Sequence, residues 1–507
     1  MSRLSEPGVT LDTDGGITVG DVYAIAIHGA RLAVGAASIE RVRIAREVVE
    51  RVLKKGRKVY GLNTYVGHLR DMQVPEEDLV DYQHQLLDMH ARGIGDPLPE
   101  EDVRALMLAR IAGMAYGGSG AHPDVFEGLI QLLNKKVHPV VPAGGSVGAS
   151  DLTQMAAVGE VLMGRGEATY KGRVMPGDEA LRLAGIKPVR LRPKDGLALI
   201  SANGFSIGLG ALAVVAMEKL CNIADAIGCL SLEAIGGNLE PFQEEVAAAK
   251  PFDGQMATAA HMRECLAGSY LERGGGASVQ DPLSFRVMPQ VHGALREHLY
   301  FARRAVQVEL NSSGDNPMVS VGQDELISNG NFHPVVLALS FETLRLALAH
   351  LAMISERRVN RLRYHGIPAG KMAVFRKRFP FRPYQGPSVH SASALLAEIK
   401  HMANPVTLSS SVLNPEAEDH STLAPQAVML TRTQIERVET RLSIEALMAY
   451  DVLSDDPHLP VLGQGTAAVC RVVASVLDEV GDNASASVLC EAVRARLFAR
   501  PEPAHLS

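Results

Sequence analysis

The chain has 507 residues, of which 47% are hydrophobic and 21% charged. This length and balance are typical of a globular protein with a large buried core, and they exclude a disordered chain. The net charge is −7, and acidic and basic residues are mixed along the sequence. We therefore expect no nucleic-acid-binding surface.

Five cysteines are scattered along the chain without a close Cys-Xaa-Xaa-Cys spacing. This pattern favours a reducing compartment over a disulfide framework or a zinc site. The N-terminal stretch MSRLSEPGVTLDTDGG has no apolar signal-peptide core, and charged residues or glycines interrupt each long apolar run. The sequence therefore predicts a cytoplasmic protein that does not span a membrane.

Apolar residues recur at helical spacing through most of the sequence, which predicts a mainly α fold. The N-terminal part predicts shorter helices, with a hairpin near 166–190, and the helices are expected at 38–55, 75–92, 99–116, 124–135 and 152–163. From about residue 196 the predicted helices are longer, at 196–234, 287–311, 334–360, 390–412 and 424–453. Long helices with broad apolar faces usually form a bundle. We predict a smaller N-terminal helical domain at 1–195 and a central long-helix bundle with C-terminal helices at 196–507.

The stretch VPAGGSVGASDLTQM at 141–155 concentrates glycine, alanine and serine in one bend. Small residues let the backbone fold tightly on itself. A compressed Ala-Ser-Xaa turn can close a five-membered ring and lose water to give a methylidene imidazolone, an electrophile that proteins otherwise obtain from cofactors. The same letters also fit an ordinary Gly-rich turn or a phosphate loop, but the lysine or dinucleotide fingerprint of a phosphate loop does not follow.

The run GGSVGAS with the following DL, and GRGEATYKG at 164–172, resembles the prosthetic-group loop of the histidine and phenylalanine ammonia-lyase family. The family motif reads Ala-Ser-Gly-Asp-Leu, whereas this chain has Ala149, Ser150, Asp151 and Leu152, as a one-residue deletion of the glycine would give. The resemblance implies a 4-methylidene-imidazol-5-one formed autocatalytically from Ala149, Ser150 and Asp151, with Asp151 supplying the ring-closing nitrogen. It implies no metal and no nucleotide.

Three further motifs carry residues that the resemblance assigns to catalysis or substrate binding. Tyr60 in YGLNT matches the tyrosine that removes the substrate's β-proton, and His90 in LLDMHARGIG matches a histidine that contacts the substrate's ring. Asn203 in GLALISANGFS is the expected partner of the prosthetic group's carbonyl, with Ser201 as the alternative on a strict alignment. Without the resemblance, Tyr60 reads as a packed loop aromatic and His90 as a packed or solvated helix residue.

The segment QDPLSFRVMPQVHG at 280–293 is the most specific match after the Gly-rich stretch. The resemblance implies that Arg286 holds the substrate carboxylate, for which a guanidinium is well suited, and that Gln280 offers an amide nearby. Leu283 stands where the family usually has a second active-site tyrosine. The later segment at 379–393 matches the family poorly. Tyr384 and His390 within it are candidates to compensate for Leu283. The alternative interpretation of Arg286 is a surface charge at a helix start.

NSSGDNPMV, ISNGNFHP and NPEAEDHSTLAPQ resemble three later family segments. The resemblance places Asn316, Asn331 and Phe332 along the active site and Glu418 close to the substrate's amine or ring. Taken alone, an Asn-Gly-Asn sequence indicates only a turn, and EAEDH indicates only an acidic helix cap.

The resemblance runs from about residue 15 to residue 455. It implies a mainly α, long-helix bundle of the ammonia-lyase type, similar to fumarase and aspartase, and a homotetramer whose active sites combine loops of more than one chain. The implied activity is elimination of ammonia from an aromatic or imidazole amino acid, histidine- or tyrosine-like, to give an α,β-unsaturated acid. Three alternatives stay open: an aminomutase with the same parts, an imidazolone-free enzyme with different elimination chemistry, and a homologue without catalysis.

Overall fold

The computed structural model describes the chain with several gaps, over residues 8–12, 16–274, 276, 278–363, 386–454, 460–481 and 484–499. Side chains between 386 and 389 are outside the description, and so is Tyr384.

The N-terminal part consists of short helices and small sheets. Its helices are α1 (Val19–His28), α2 (Ala36–Lys54), α3 (Leu79–His90), α4 (Glu100–Ala115), α5 (Pro123–Asn134), α6 (Leu152–Leu162) and α7 (Gly177–Ala184). Its strands are β1 (Gly8–Leu11), β2 (Arg31–Val34), β3 (Ile94–Pro97), β4 (Val137–Pro139), β5 (Pro142–Gly144), β6 (Glu167–Tyr170) and β7 (Arg173–Pro176). β1 and β2 pair in parallel, β3 pairs antiparallel with β5, and β4, β6 and β7 form an antiparallel sheet.

The long helices lie in the second part of the chain. In order, its elements are α8 (Asp195–Ile200), α9 (Gly204–Ile235), α10 (Glu244–Ala248), α11 (Asp253–Leu266), α12 (Leu283–Arg286), α13 (Met288–Leu310), β8 (Met318–Ser320), β9 (Glu325–Ile327), α14 (Val335–Arg363), α15 (Gly386–Met402), α16 (Ala424–Ser454), α17 (Gln464–Val480) and α18 (Ala486–Leu497). α9, α13, α14 and α16 pack against one another in a ring, and α4 packs along α9 from outside.

Burial in this bundle explains the most apolar segments of the chain. Asp195–Ile235 and Val335–Arg363 are long and apolar enough to cross a membrane by length and composition. The apolar window of the first is entirely buried inside the protein, and 67% of the window of the second is buried. Both segments therefore have the environment of core helices in a bundle.

The predicted mainly α fold is confirmed, with local corrections. The hairpin predicted to reach residue 190 ends at Pro176 and is followed by α7. The helix predicted at 390–412 begins and ends earlier, at Gly386–Met402. The predicted domain boundary near residue 195 stays a prediction, since helices on its two sides, such as α4 and α9, pack together.

The single long helix predicted at 196–234 is wrong, because the chain leaves helical geometry between α8 and α9. Ser201 has φ −75° and ψ 67°, and Asn203 has φ −105° and ψ 37°. The carbonyl of Ala202 accepts a hydrogen bond from the Asp151 amide at 2.7 Å. A carbonyl bonded to another segment is not available to a continuous helix, so the apolar pattern alone could not predict this break.

Candidate active site

A cavity of about 960 Å³ lies where α3, the 60–70 loop and the Gly-rich stretch meet the 316–333 and 414–420 segments. Many residues predicted for the site share its wall, namely Tyr60, His90, Ala149, Ser150, Ser201, Asn316, Phe332 and Glu418. A concave pocket with converging polar groups is the usual form of a small-molecule site. The predicted active-site motifs, far apart in sequence, are thus brought to one place.

The backbone at Gly148–Ser150 forms a tight turn at the cavity wall. Gly148 and Ser150 face each other as an isolated antiparallel bridge and have positive φ of 84° and 63°. A Cβ on Gly148 would collide with the hydroxyl of Thr422, so glycine is required here for space as well as for φ. Ser150 has no such freedom and is held in a backbone conformation that costs a non-glycine residue free energy.

Hydrogen bonds from two other segments brace this turn. The Thr422 hydroxyl donates to the Gly148 carbonyl at 2.9 Å, and the Ser150 amide donates to the Phe332 carbonyl at 3.2 Å. The Phe332 carbonyl also accepts from Asn203 Nδ2 at 3.0 Å. Asn203 Oδ1 is buried and has no hydrogen-bond partner among the described residues. Asn203 therefore lies behind the turn, next to the place expected from its predicted role.

Asp151, which directly follows Ser150 because the family's glycine is missing, lies behind the cavity wall and is fully buried. Its carboxylate accepts from the Ser206 amide at 2.8 Å and from the Ser206 hydroxyl at 3.1 Å, in the first turn of α9. Burial raises the pKa of Asp151 to about 7, and the Ser206 hydrogen bonds oppose this shift only partly. The pKa of Glu309 is also raised to about 7, by burial and by the nearby Asp151 charge.

This arrangement fits an imidazolone group at Ala149–Asp151. The two residues that would present the ring, Ala149 and Ser150, line the cavity. Because the family's glycine is absent, the ring would carry the Asp151 side chain. That side chain is hydrogen-bonded at the start of α9, so it does not crowd the cavity. Ring closure would remove the amide hydrogens that Ser150 and Asp151 now donate, and Phe332 would keep its bond from Asn203.

Tyr60, the predicted base, is half-buried, and its phenol oxygen accepts from the Gly67 amide at 3.2 Å. Burial raises the pKa of Tyr60, and the Glu418 carboxylate raises it further. The Gly67 hydrogen bond and the Arg70 guanidinium lower this pKa but do not compensate. The free chain therefore holds Tyr60 as a neutral phenol, whereas a base at neutral pH needs more positive charge at this oxygen.

His90 lies at the end of α3 with a defined ring orientation. Its Nδ1 is 2.7 Å from the Leu86 carbonyl oxygen, which can only accept, so Nδ1 carries the hydrogen. In the neutral ring, Nε2 is then the acceptor. A substrate donor, such as an imidazole N–H or a phenol O–H, fits this nitrogen.

Gln280, Leu283 and Arg286 do not line the cavity. Arg286 donates to Gln280 Oε1 at 2.7 Å, and Leu283 is 61% exposed. Their segment is anchored by the Asp281 carboxylate, which accepts at 2.6 Å from the amide of Asn238, just beyond the end of α9. α9 has 32 residues and is about 48 Å long at 1.5 Å per residue. The predicted carboxylate anchor thus lies at the opposite end of α9 from the cavity of the same chain.

Asn331 is exposed and does not line the cavity, although its neighbour Phe332 does. His390 is exposed on α15 and is not part of the cavity wall. Sequence reasoning missed two histidines of the wall, His333 and His420, whose Nε2 and Nδ1 atoms are 2.7 Å apart. Both stand in motifs already singled out, ISNGNFHP and NPEAEDHSTLAPQ, but neither motif shows that they meet.

A family model described as aromatic amino acid lyase matches residues 17–475 of the chain. The chain belongs to the aromatic amino acid lyase family. It is 40% identical over 462 residues to a histidine ammonia-lyase of Anaeromyxobacter sp. (strain K), a match that covers 86% of this chain and 88% of that enzyme.

Solved structures agree with this aromatic amino acid lyase over nearly its full length. Ergothionase, the ergothioneine-degrading enzyme of Treponema denticola, has a TM-score of 0.89 at 27% identity, over 97% of this chain and 100% of that one. The tyrosine aminomutase of Streptomyces globisporus has a TM-score of 0.88 at 29% identity, over 97% of both chains. The family and the long-helix fold that the resemblance implied are confirmed.

Proposed function

We propose that this aromatic amino acid lyase eliminates ammonia from a histidine- or tyrosine-like amino acid to give an α,β-unsaturated acid. The observation that carries the proposal is the cavity in which the Ala149–Ser150 turn faces Tyr60, His90 and Glu418. The 40% identity to a histidine ammonia-lyase supports the same reaction class.

We propose that the prosthetic group forms from the same turn, in two steps. The Asp151 nitrogen bonds to the Ala149 carbonyl carbon, and that carbonyl oxygen leaves as water with the amide hydrogens of Ser150 and Asp151. The Ser150 hydroxyl then leaves as a second water with the α-hydrogen of Ser150. The resulting 4-methylidene-imidazol-5-one supplies an electrophile for the substrate's amine.

Tyr60 is the proposed base for the substrate's β-proton, since its phenol oxygen is on the cavity wall. Because burial keeps the phenol neutral in the free chain, the base form requires added positive charge. Arg70 on the same loop already contributes one positive charge, which does not compensate for the burial of Tyr60. Arg286 of a second copy would supply another when it enters the site. Turnover should therefore rise with pH until Tyr60 is ionised in the complex.

Glu418 and His90 are the proposed contacts for the substrate's amine and ring. The Glu418 carboxylate attracts an ammonium or imidazolium group, and Nε2 of His90 accepts from a ring donor. Both a histidine side chain and a tyrosine side chain offer such a donor.

A second copy of the chain must complete this site if Arg286 binds the carboxylate, because Arg286 lies at the other end of α9. We propose a homotetramer with shared sites. An exposed apolar stripe on α14 supports association: Val336, Leu339 and Leu346 are 57%, 48% and 55% exposed and share one helix face. The five cysteines are free and buried, which supports the cytoplasmic location.

An aminomutase is the second candidate, supported by the tyrosine aminomutase structure with a TM-score of 0.88. It would return the ammonia to the neighbouring carbon of the same product. Product analysis separates the two activities, since only the aminomutase accumulates a β-amino acid.

Two measurements on purified protein test the proposal. The intact mass should be lower than that of the encoded chain by two water molecules, and histidine or tyrosine should yield ammonia and an unsaturated acid. Ser150→Ala should lose the second water and the activity, whereas Ser146→Ala, in the same loop, controls for loss of a hydroxyl and should keep the mass deficit. An active enzyme with an unmodified mass would exclude the prosthetic group. A modified protein that releases no ammonia and forms no β-amino acid would exclude the activity.

A further inference from the structure

His333 and His420 are joined by a hydrogen bond in the cavity wall, with their Nε2 and Nδ1 atoms 2.7 Å apart. We propose that this bond is a positioning link, which holds Phe332 and Glu418 in place for the substrate and opens when both rings are protonated. Its kinetic consequence rests on the proposed function, whereas its effect on the two segments does not.

The link connects two segments that are distant in sequence and converge on the same turn. His333 follows Phe332, whose carbonyl accepts from the Ser150 amide. His420 precedes Thr422, whose hydroxyl donates to the Gly148 carbonyl. The histidine pair joins these two braces on the cavity side, 87 residues apart in the chain.

The link also touches the side chain that it is proposed to position. The Phe332 ring packs edge-on against the His333 ring, with centroids 6.1 Å apart and planes at 75°. The His333 and His420 rings are 5.0 Å apart at 57°. A movement of His333 would therefore move the aromatic surface of Phe332, because edge-on ring pairs are directional contacts.

On the other side, Glu418 is tied into a short turn two residues before His420. Its amide donates to the Asn414 carbonyl at 2.7 Å, and its own carbonyl accepts from the Leu413 amide at 3.1 Å. These two hydrogen bonds stabilise the turn itself, but they do not connect it to the 328–334 segment. The histidine bond supplies that connection between side chains.

Protonation decides whether the link can exist. A ring-to-ring N–H···N bond needs one donor nitrogen and one acceptor nitrogen, which two neutral rings or one neutral and one cationic ring can supply. Two cationic rings have only donors and repel each other. Burial lowers the pKa of His333 below its ordinary 6.5, and a charge on His420 lowers it further. The link therefore holds at neutral pH and opens as the pH falls through that lowered pKa.

Other charged and titratable groups of the cavity wall act on this equilibrium. The 414–420 segment contributes three carboxylates, the 60–70 loop two phenols, a histidine and a guanidinium, and α3 a further phenol and a further histidine: Glu416, Glu418, Asp419, Tyr60, Tyr65, His68, Arg70, Tyr82 and His90. The carboxylates favour protonation of the pair and the cations oppose it. A neutral amide pair would form the same connection without titrating, which provides the decisive comparison.

Kinetics of four variants test the link. Loss of one such hydrogen bond should lower kcat/KM about five- to tenfold in His333→Ala or His420→Ala, and the double alanine variant should be no worse than either single variant. The double variant His333→Gln/His420→Gln should recover most of the activity. Its activity should decline less steeply than that of wild type on the acidic side of pH 6.5, because only the Tyr60 dependence remains. His401→Gln, an exposed histidine on α15, is the control and should keep the wild-type profile.

Amide hydrogen exchange of the unliganded protein separates this proposal from the proposed function. Exchange in peptides covering 328–334 and 412–423 should be faster in His420→Ala than in wild type at neutral pH, after correction for intrinsic rates. It should also be faster in wild type, but not in the double glutamine variant, near pH 5. Unchanged exchange in His420→Ala, or an acidic decline as steep in the double glutamine variant as in wild type, would overturn the link. The exchange result stands even if no amino acid is turned over.

Discussion

Replacing Asp151 by asparagine should make the protein more stable at alkaline pH, although it removes a buried hydrogen-bonding carboxylate. The carboxylate accepts from the Ser206 amide and the Ser206 hydroxyl. An asparagine of the same shape can accept from the amide through Oδ1 and donate to the hydroxyl oxygen through Nδ2. The substitution therefore keeps both contacts and removes only the charge.

The magnitude follows from the pKa of Asp151, which burial raises from 3.8 to about 7. In the folded state the group keeps its proton up to about pH 7, whereas the unfolded chain releases it near pH 4. Between these values the unfolded state binds fewer protons, so the free energy of unfolding falls as the pH rises. A shift of three units at 1.36 kcal/mol per unit corresponds to about 4 kcal/mol lost by pH 8. The asparagine of the variant cannot ionise and does not incur this loss.

Thermal unfolding at about pH 4 and pH 8 measures this difference, in a Ser150→Ala background so that neither protein carries the methylidene group. Intact mass selects protein in which the ring has not closed. All proteins are compared at one concentration because association stabilises. Asp151→Asn should match its parent at the acidic pH and melt several degrees higher at pH 8. Because the Asp151 charge also raises the pKa of Glu309, all of these proteins carry Glu309→Gln, so that the difference isolates Asp151. Asp178→Asn, on the exposed surface of α7, is the control. A parallel pH dependence of parent and variant would refute the reasoning.

Three further outcomes are expected. Tyr60→Phe should lower kcat by at least about a hundredfold. The fold should stay intact, because the lost hydroxyl only accepts a hydrogen bond from Gly67. Initial rates and circular dichroism check the two outcomes, and unchanged turnover would remove Tyr60 from the mechanism. Arg286→Met should raise KM strongly. Mixing Arg286→Met subunits with Tyr60→Phe subunits, under conditions of subunit exchange, should restore part of the activity. No recovery would argue against shared sites. Leu346→Glu, on the exposed stripe of α14, should give smaller assemblies by light scattering, and Glu436→Lys on α16 controls for a charge change alone.

Short local motifs were sufficient to predict much of the cavity wall. Where neighbours in the same turn fix a side chain, a sequence match also predicts the position of that side chain. This applies to the runs that contain Tyr60, Ser150, Phe332 and Glu418. The turn at Ser150 is an example, since Gly145 and Gly148 on its N-terminal side themselves take positive φ and let the chain turn there.

Contacts between distant segments were not predictable in the same way. The break between α8 and α9 accompanies a hydrogen bond from the Asp151 amide to Ala202 in the uncyclised chain, and the apolar periodicity does not indicate this contact. The pairing of His333 with His420 depends on two turns meeting across the cavity. The sequence order likewise does not indicate that Arg286 lies near the end of α9 that is remote from the cavity. The length of that helix, about 48 Å, sets this separation, and motif spacing does not report it.

The length of α9 has a consequence for the enzyme in dilute solution. A lone subunit keeps its turn, its phenol and its cavity, yet its own Arg286 cannot reach a carboxylate there. If several copies share their sites as proposed, specific activity should fall as the protein is diluted below the dissociation constant of that assembly, while its circular dichroism stays the same. The concentration of the protein would therefore determine the activity of each molecule as well as the number of molecules.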